Sequence, residues 1–161
     1  MKEENTEEKK SFSLSDFNTI VIKGNKGDDS NKPMDALISG LASSETKTEA
    51  LKLLKSNKNG KKILLDAIEK KLNSESERAL IVAACWESGI DFSDQLELFI
   101  NLAITENLLV AIEAITVIEN TEAKYLASLS SEIKNKLSEG SKTKKDRSTL
   151  LQALLAHIEN C

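Results

Sequence analysis

A four-residue pattern recurs at the ends of three apolar stretches of this chain, and it constrains the fold more than any other feature. The copies are Cys85-Trp86-Glu87-Ser88, Val117-Ile118-Glu119-Asn120 and His157-Ile158-Glu159-Asn160. Their glutamates stand 32 and 40 residues apart, an interval at which sequence periods signal stacked helical hairpins. A fainter copy, Leu53-Leu54-Lys55-Ser56, lies 32 residues before the first. A unit repeated at this interval cannot bury its apolar side alone, so neighbours must stack. The expected fold is all-α, a short αα-superhelix (α-solenoid) of about four helical hairpins.

The rest of the sequence fits helices better than strands. One proline and six glycines in 161 residues leave room for uninterrupted helices. Aromatic residues make up 4% of the chain, too few for a sandwich, a barrel or a base-stacking platform. With 40% hydrophobic and 30% charged residues, one core and a solvated exterior are both provided for. No apolar run approaches the ~20 residues that span a bilayer, and the polar first residues lack the apolar segment of a secretory signal. A soluble, cytoplasmic protein with no membrane association is expected. The two cysteines, Cys85 and Cys161, and the single histidine, His157, make neither a disulfide framework nor a zinc-site spacing. No cofactor and no metal are expected.

Residues 1–30 read as a disordered or loosely docked tail, with Phe12, Phe17 and Ile20 as its anchors if it docks. From residue 31 to 161 the periodicity is helical. Helices are expected over 33–42, 45–55, 61–72, 74–88, 93–105, 107–119, 122–137 and 144–159. Pro33 suits a first turn. Ser74 and Glu77 make a capping box, and Ser93 is placed as an N-cap with Asp94 behind it. Asn57 to Gly60 reads as a stop, and 138–143, with Gly140, as a polar loop. The helix over 107–119 is apolar nearly all round, as an element sandwiched between neighbouring hairpins would be.

The residues Ala83-Ala84-Cys85-Trp86 with Ser88-Gly89, Asp91-Phe92-Ser93, and Glu113 through Asn120 resemble the central segment of an uncharacterised bacterial family of HEAT-like repeat proteins. The resemblance covers about residues 60–120. It implies a HEAT-like αα-superhelix and no known activity.

Catalytic chemistry finds no support in the pattern, so the chain reads as a non-enzyme. Trp86 aligns with Ile118 and Ile158 in the repeat and is expected in an interior slot. His157 has no acidic partner at useful spacing. Asp91, Asp94 and Glu97 lack the loop pattern of a calcium site, and no phosphate loop or nucleophile elbow is present. An enzyme with a groove site at Glu87, Asp91 and Glu113 is an alternative that a bound ligand would have to support.

Charge is unevenly distributed. Residues 51–71 carry a net +5, residues 72–132 a net −9, and residues 133–147 a net +4. Such runs are ordinary solvated faces or a means of steering a partner. The second helices of HEAT-type hairpins line the concave side. Ile81, Ala84, Ser88, Glu113, Thr116 and Asn120 are therefore expected to form a partner-binding groove floor. The function expected is a protein–protein interaction scaffold, monomeric or a weak homodimer, for a protein or peptide partner. A nucleic-acid binder using the lysines between Lys52 and Lys71 is the alternative. The net charge of −4 and the presence of only two arginines, Arg78 and Arg147, weigh against it.

Overall fold

The computed structural model describes residues 32–70 and 74–161. Among these the protein is all-helical, with nine α-helices, one 3₁₀ turn and no strand. The expected tail over residues 1–30 lies outside the described residues. The chain divides into two units, Met1–Ala50 and Leu51–Cys161. Helix α1 (Lys32–Ala42) belongs to the first, and α2 (Lys47–Ser56) runs across the division. Within the first unit, Leu37 and Leu41 are buried on one side of α1. The Thr46 hydroxyl closes the following turn by donating to the Gly40 carbonyl at 2.9 Å.

The second unit contains α3 (Gly60–Glu69), α4 (Glu75–Glu87), the 3₁₀ turn Ser93–Gln95, α5 (Leu96–Thr105), α6 (Leu108–Glu119), α7 (Ala123–Ala127), α8 (Ser131–Thr143) and α9 (Ser148–Glu159). Helices pack as sequential pairs, α3 with α4, α5 with α6 and α8 with α9. Between pairs, α4 packs on α6, α6 on α9, and α5 on α8. Ile81 and Val82 of α4, Phe99 and Ile100 of α5, and Ile118 of α6 are shielded from solvent, as are Leu137 and Leu154. Phe92 meets Phe99 edge to face at 5.7 Å between ring centres, which ties the loop after α4 to the core of α5.

Helix ends follow sequence-encoded caps. The Ser74 hydroxyl accepts from the Glu77 N–H at 3.1 Å, Asn107 from Val110 at 3.1 Å, and Ser130 from Ile133 at 3.3 Å. Gly89 ends α4 with φ +65°, a left-handed conformation that glycine adopts without steric cost. Ser93 does not cap α5. Instead the Asp91 carboxylate accepts from the Ser93 N–H at 2.9 Å, and residues 93–95 form the 3₁₀ turn before the helix.

Three expected boundaries are corrected. The helix expected over 122–137 is broken: α7 closes at Ala127, with the Ser128 N–H on the Tyr125 carbonyl, and Ser130 caps a new helix. The expected loop over 138–143 is the last part of that helix, α8. Gly140 is there for packing, since a Cβ at that position would lie 3.0–3.3 Å from three side-chain carbons of Ile104. The expected stop over 57–60 is borne out at residues 57–59, which form the turn after α2, but Gly60 itself begins α3. A Cβ on it would fall 1.9 Å from the Leu54 carbonyl oxygen, so two backbones pass there with no room for a side chain.

Candidate partner-binding face

Exposed large apolar side chains are concentrated on one set of helices. Among the described residues they are Trp86 on α4, Leu108, Leu109 and Ile112 on α6, and Leu150 on α9. Each lies on the second member of a pair, and α4, α6 and α9 pack in a row. By contrast α3, α5 and α8 turn charged or polar groups outward, among them Lys62, Asp66, Glu97, Glu132, Lys136 and Glu139. The all-round apolar character of α6 is thus only partly used for burial. Val110, Ala111, Ala114, Ile115, Val117 and Ile118 face the interior, and the remaining ridge meets solvent.

Trp86 departs from the expected interior slot. Ile118 and Ile158 are buried as expected, but Trp86 is 38% exposed. Its indole N–H donates to Glu113 Oε2 at 2.9 Å, so the ring spans from α4 to α6 along the surface. Cys85, one residue earlier, takes the buried position. Burial pushes its thiol well above the usual range, which keeps it neutral and unreactive.

The six residues expected to form a groove floor do not all reach the surface. Ile81, Ala84 and Ser88 are buried, which corrects the expectation that α4 contributes them to a binding face. They fall at i, i+3 and i+7 on the inner side of α4, a helix that packs against both α3 and α6. The Ser88 hydroxyl is occupied locally, donating to the Cys85 carbonyl at 3.4 Å. Glu113 and Thr116 are half-buried and Asn120 is exposed, and these three lie on the outer side of α6. Thr116 donates to the Ile112 carbonyl at 3.0 Å, and Asn120 to the Thr116 carbonyl at 2.8 Å. Of the six, only Glu113, Thr116 and Asn120 therefore lie on the same helix as the exposed Leu108, Leu109 and Ile112 and reach the surface. The sequence reading did not single out Leu109, Ile112 and Leu150 as exposed and placed Trp86 inside; the available signal was the apolar character of α6 all round, more than its burial uses.

Several carboxylates and lysines are committed to each other. Asp94 pairs with Lys61, whose ammonium holds the Asp94 carboxyl below its usual range. Glu97 pairs with Lys136 at 3.1 Å and Asp66 with Lys62 at 2.8 Å. The Ser93 N–H holds Asp91 below the ordinary carboxylate range. Among the described residues no group of three His, Cys, Asp or Glu side chains is placed to hold a metal ion. His157 is exposed on the last turn of α9.

Both arginines are structural. Arg78 pairs with Glu106 at 3.0 Å. Arg147 is buried and donates to the carbonyls of Ala103 and Glu106 at the end of α5. The basic stripe expected at 133–147 is accordingly weaker at the surface than its composition suggests, since Lys136 and Lys142 also have acidic partners.

Where α4 and α6 end, a cleft of 360 Å³ opens between them. Trp86, Asp91, Asn120, Glu122 and Tyr125 line it, with Cys85 at its wall. A shallower depression of 750 Å³ lies between α5 and α8, beside Ile104 and Gly140. No helix among the described residues is long and apolar enough to cross a membrane. Compared with protein-family models, with curated proteins and with solved structures, the chain matches none.

Proposed function

We propose that the chain is a non-enzymatic interaction module, a HEAT-like superhelix that binds a protein partner in the cytoplasm along the row formed by α4, α6 and α9. The observation that carries this reading is the segregation of Trp86, Leu108, Leu109, Ile112 and Leu150 onto those three helices. Apolar side chains grouped on one face, with charged residues on the opposite helices, mark association surfaces more often than chance exposure does. The order of packing supports the superhelix, because the second helices α4, α6 and α9 pack in succession and the first helices α5 and α8 pack on each other. In such an arrangement the second helices line the concave side. Trp86 is the natural anchor, since large aromatic side chains with one polar edge dominate interface energies.

A photo-crosslinking amino acid at position 109 on α6, and another at position 101 on the outer side of α5, test this reading. The expected result is one partner captured at 109 and not at 101, with capture lost in Ile112→Asp. Equal capture at both positions, or capture indifferent to Ile112→Asp, removes the reading.

A further inference from the structure

The cleft at the ends of α4 and α6 differs in chemistry from the apolar ridge beside it. Trp86 and Tyr125 supply aromatic surface, and Asp91 and Glu122 supply two carboxylates. Gly89 and Asn120 also line it. They follow the last residues of α4 and α6, so two helix C-termini, each with partial negative charge, meet at the same opening. Aromatic faces, carboxylates and helix C-termini all favour a cation over an anion or a neutral group. The Cys85 thiol at the wall is neutral and adds no charge.

The chain already places a cation of its own at the edge of this cleft. Lys124 Nζ lies 2.7 Å from Glu122 and 4.8 Å from the centre of the Tyr125 ring. Carboxylate and phenol thus hold an ammonium together, and because the Lys124 side chain is 63% exposed, that ammonium is displaceable. Lys61, the other ammonium acting on Asp91, is bound to Asp94 and stands over the Phe92 ring.

We propose that this cleft takes a basic side chain, arginine or lysine, from the partner segment that lies on the α4–α6–α9 face. The inference rests on the interaction reading above, and Trp86 connects the two, because it belongs both to the apolar face and to the cleft wall. A segment crossing the ridge at Ile112 and Leu109 passes the indole on its way to the cleft. The volume of 360 Å³ is near the lower end for ligand pockets and suits one long side chain. The expected recognition element is therefore an apolar stretch followed by a basic residue.

The test uses the whole chain and no partner. Trp86 is the only tryptophan, so its fluorescence reports the cleft directly. N-acetyl-arginine amide and N-acetyl-norleucine amide are titrated at constant ionic strength. The arginine compound is expected to give a saturable change with a dissociation constant on the order of a millimolar, and the norleucine compound none. Asp91→Asn keeps the acceptor that Ser93 uses. Combined with Glu122→Gln, it is expected to weaken binding about tenfold. Lys124→Ala, which frees Glu122 and the Tyr125 face, is expected to tighten it.

Equal responses to the two compounds, an unchanged affinity in the double variant, or a weaker one in Lys124→Ala overturns the proposal. Such a failure leaves the apolar face standing. Capture of the partner at position 101 removes the face while leaving the titration intact, so the two readings fail separately.

Discussion

The Arg147 guanidinium donates to the Ala103 carbonyl at 3.2 Å, across 44 residues of chain. A second bond from the same nitrogen reaches the Glu106 carbonyl. These carbonyls stand at the end of α5, where no further helical N–H is available to them. One side chain from the turn before α9 therefore completes the C-terminus of α5, and the Glu106 carboxylate meanwhile binds Arg78 of α4 at 3.0 Å. Three helical pairs are tied together at Glu106.

Arg147→Met keeps most of the buried stem and removes the donors. It is expected to lower stability by about 2–3 kcal/mol, the worth of charge-assisted hydrogen bonds plus the cost of stranded carbonyls. Arg147→Lys is expected to fall between the two, because a single ammonium cannot reproduce the fork that also engages Asp146. Urea midpoints with unchanged slope measure both. A lysine variant as stable as the parent contradicts the assigned role.

Gly140 gives a prediction whose sign reverses with its neighbour. In the parent chain, a Cβ at 3.0–3.3 Å from Ile104 overpacks the contact, and Gly140→Ala is expected to cost about 1 kcal/mol or more. In an Ile104→Ala background the obstruction is gone, and the same change gains the helix propensity of alanine, about 1 kcal/mol. Thermal or urea unfolding of the four proteins forms a double-mutant cycle. Gly60→Ala has no such rescue, because the obstructing atom is backbone, and it is expected to prevent α3 from docking.

What was legible in the sequence follows from what local chemistry determines. The Ser74 cap is decided within four residues, and the helical periodicity from residue 31 onward shows most of the helices directly. The break at Ser128–Ser130 was harder to see, since Ser130 sits in a stretch with good helix formers on both sides. Gly140 and Gly60 misled because glycine usually marks a loop, whereas here each is required by a neighbour 36 and 6 residues away, Ile104 and Leu54. The repeat register did not predict which faces are covered. A shift of 32 residues equates Ile81 with Glu113, yet one is buried and the other is at the surface. Which side of a helix is covered depends on which helices pack against it, and that is a tertiary property.

This difference separates stability from recognition. Ile81→Ala is expected to destabilise the fold by about 3 kcal/mol through the cavity it leaves, and any loss of partner binding would follow from unfolding. Glu113→Ala removes one exposed hydrogen bond to Trp86 and is expected to cost about 1 kcal/mol or less. Chemical denaturation of the two variants checks the contrast. Equal losses would mean that the exposed and buried sides have been assigned wrongly.

Acid should weaken the Asp94–Lys61 pair in a defined direction. The Asp94 carboxyl titrates below its ordinary value in the folded chain, mainly because of the Lys61 ammonium. A depressed folded-state value means the pair stabilises above the unfolded-state pKa of about 3.9 and ceases to do so as pH falls through the folded value. The side chain of Asp94 is 63% exposed, so solvent screening limits the contribution to about 1 kcal/mol or less. Asp94→Asn should therefore be slightly less stable than the parent at neutral pH, and the difference should vanish as pH falls below the ordinary carboxylate range and through the depressed folded-state value. Lys61→Met should lose stability at neutral pH in the same way, and adding Asp94→Asn to it should cost little more. A gap between Asp94→Asn and the parent that widens on acidification would mean the carboxylate is disfavoured in the fold, contrary to its contact with Lys61.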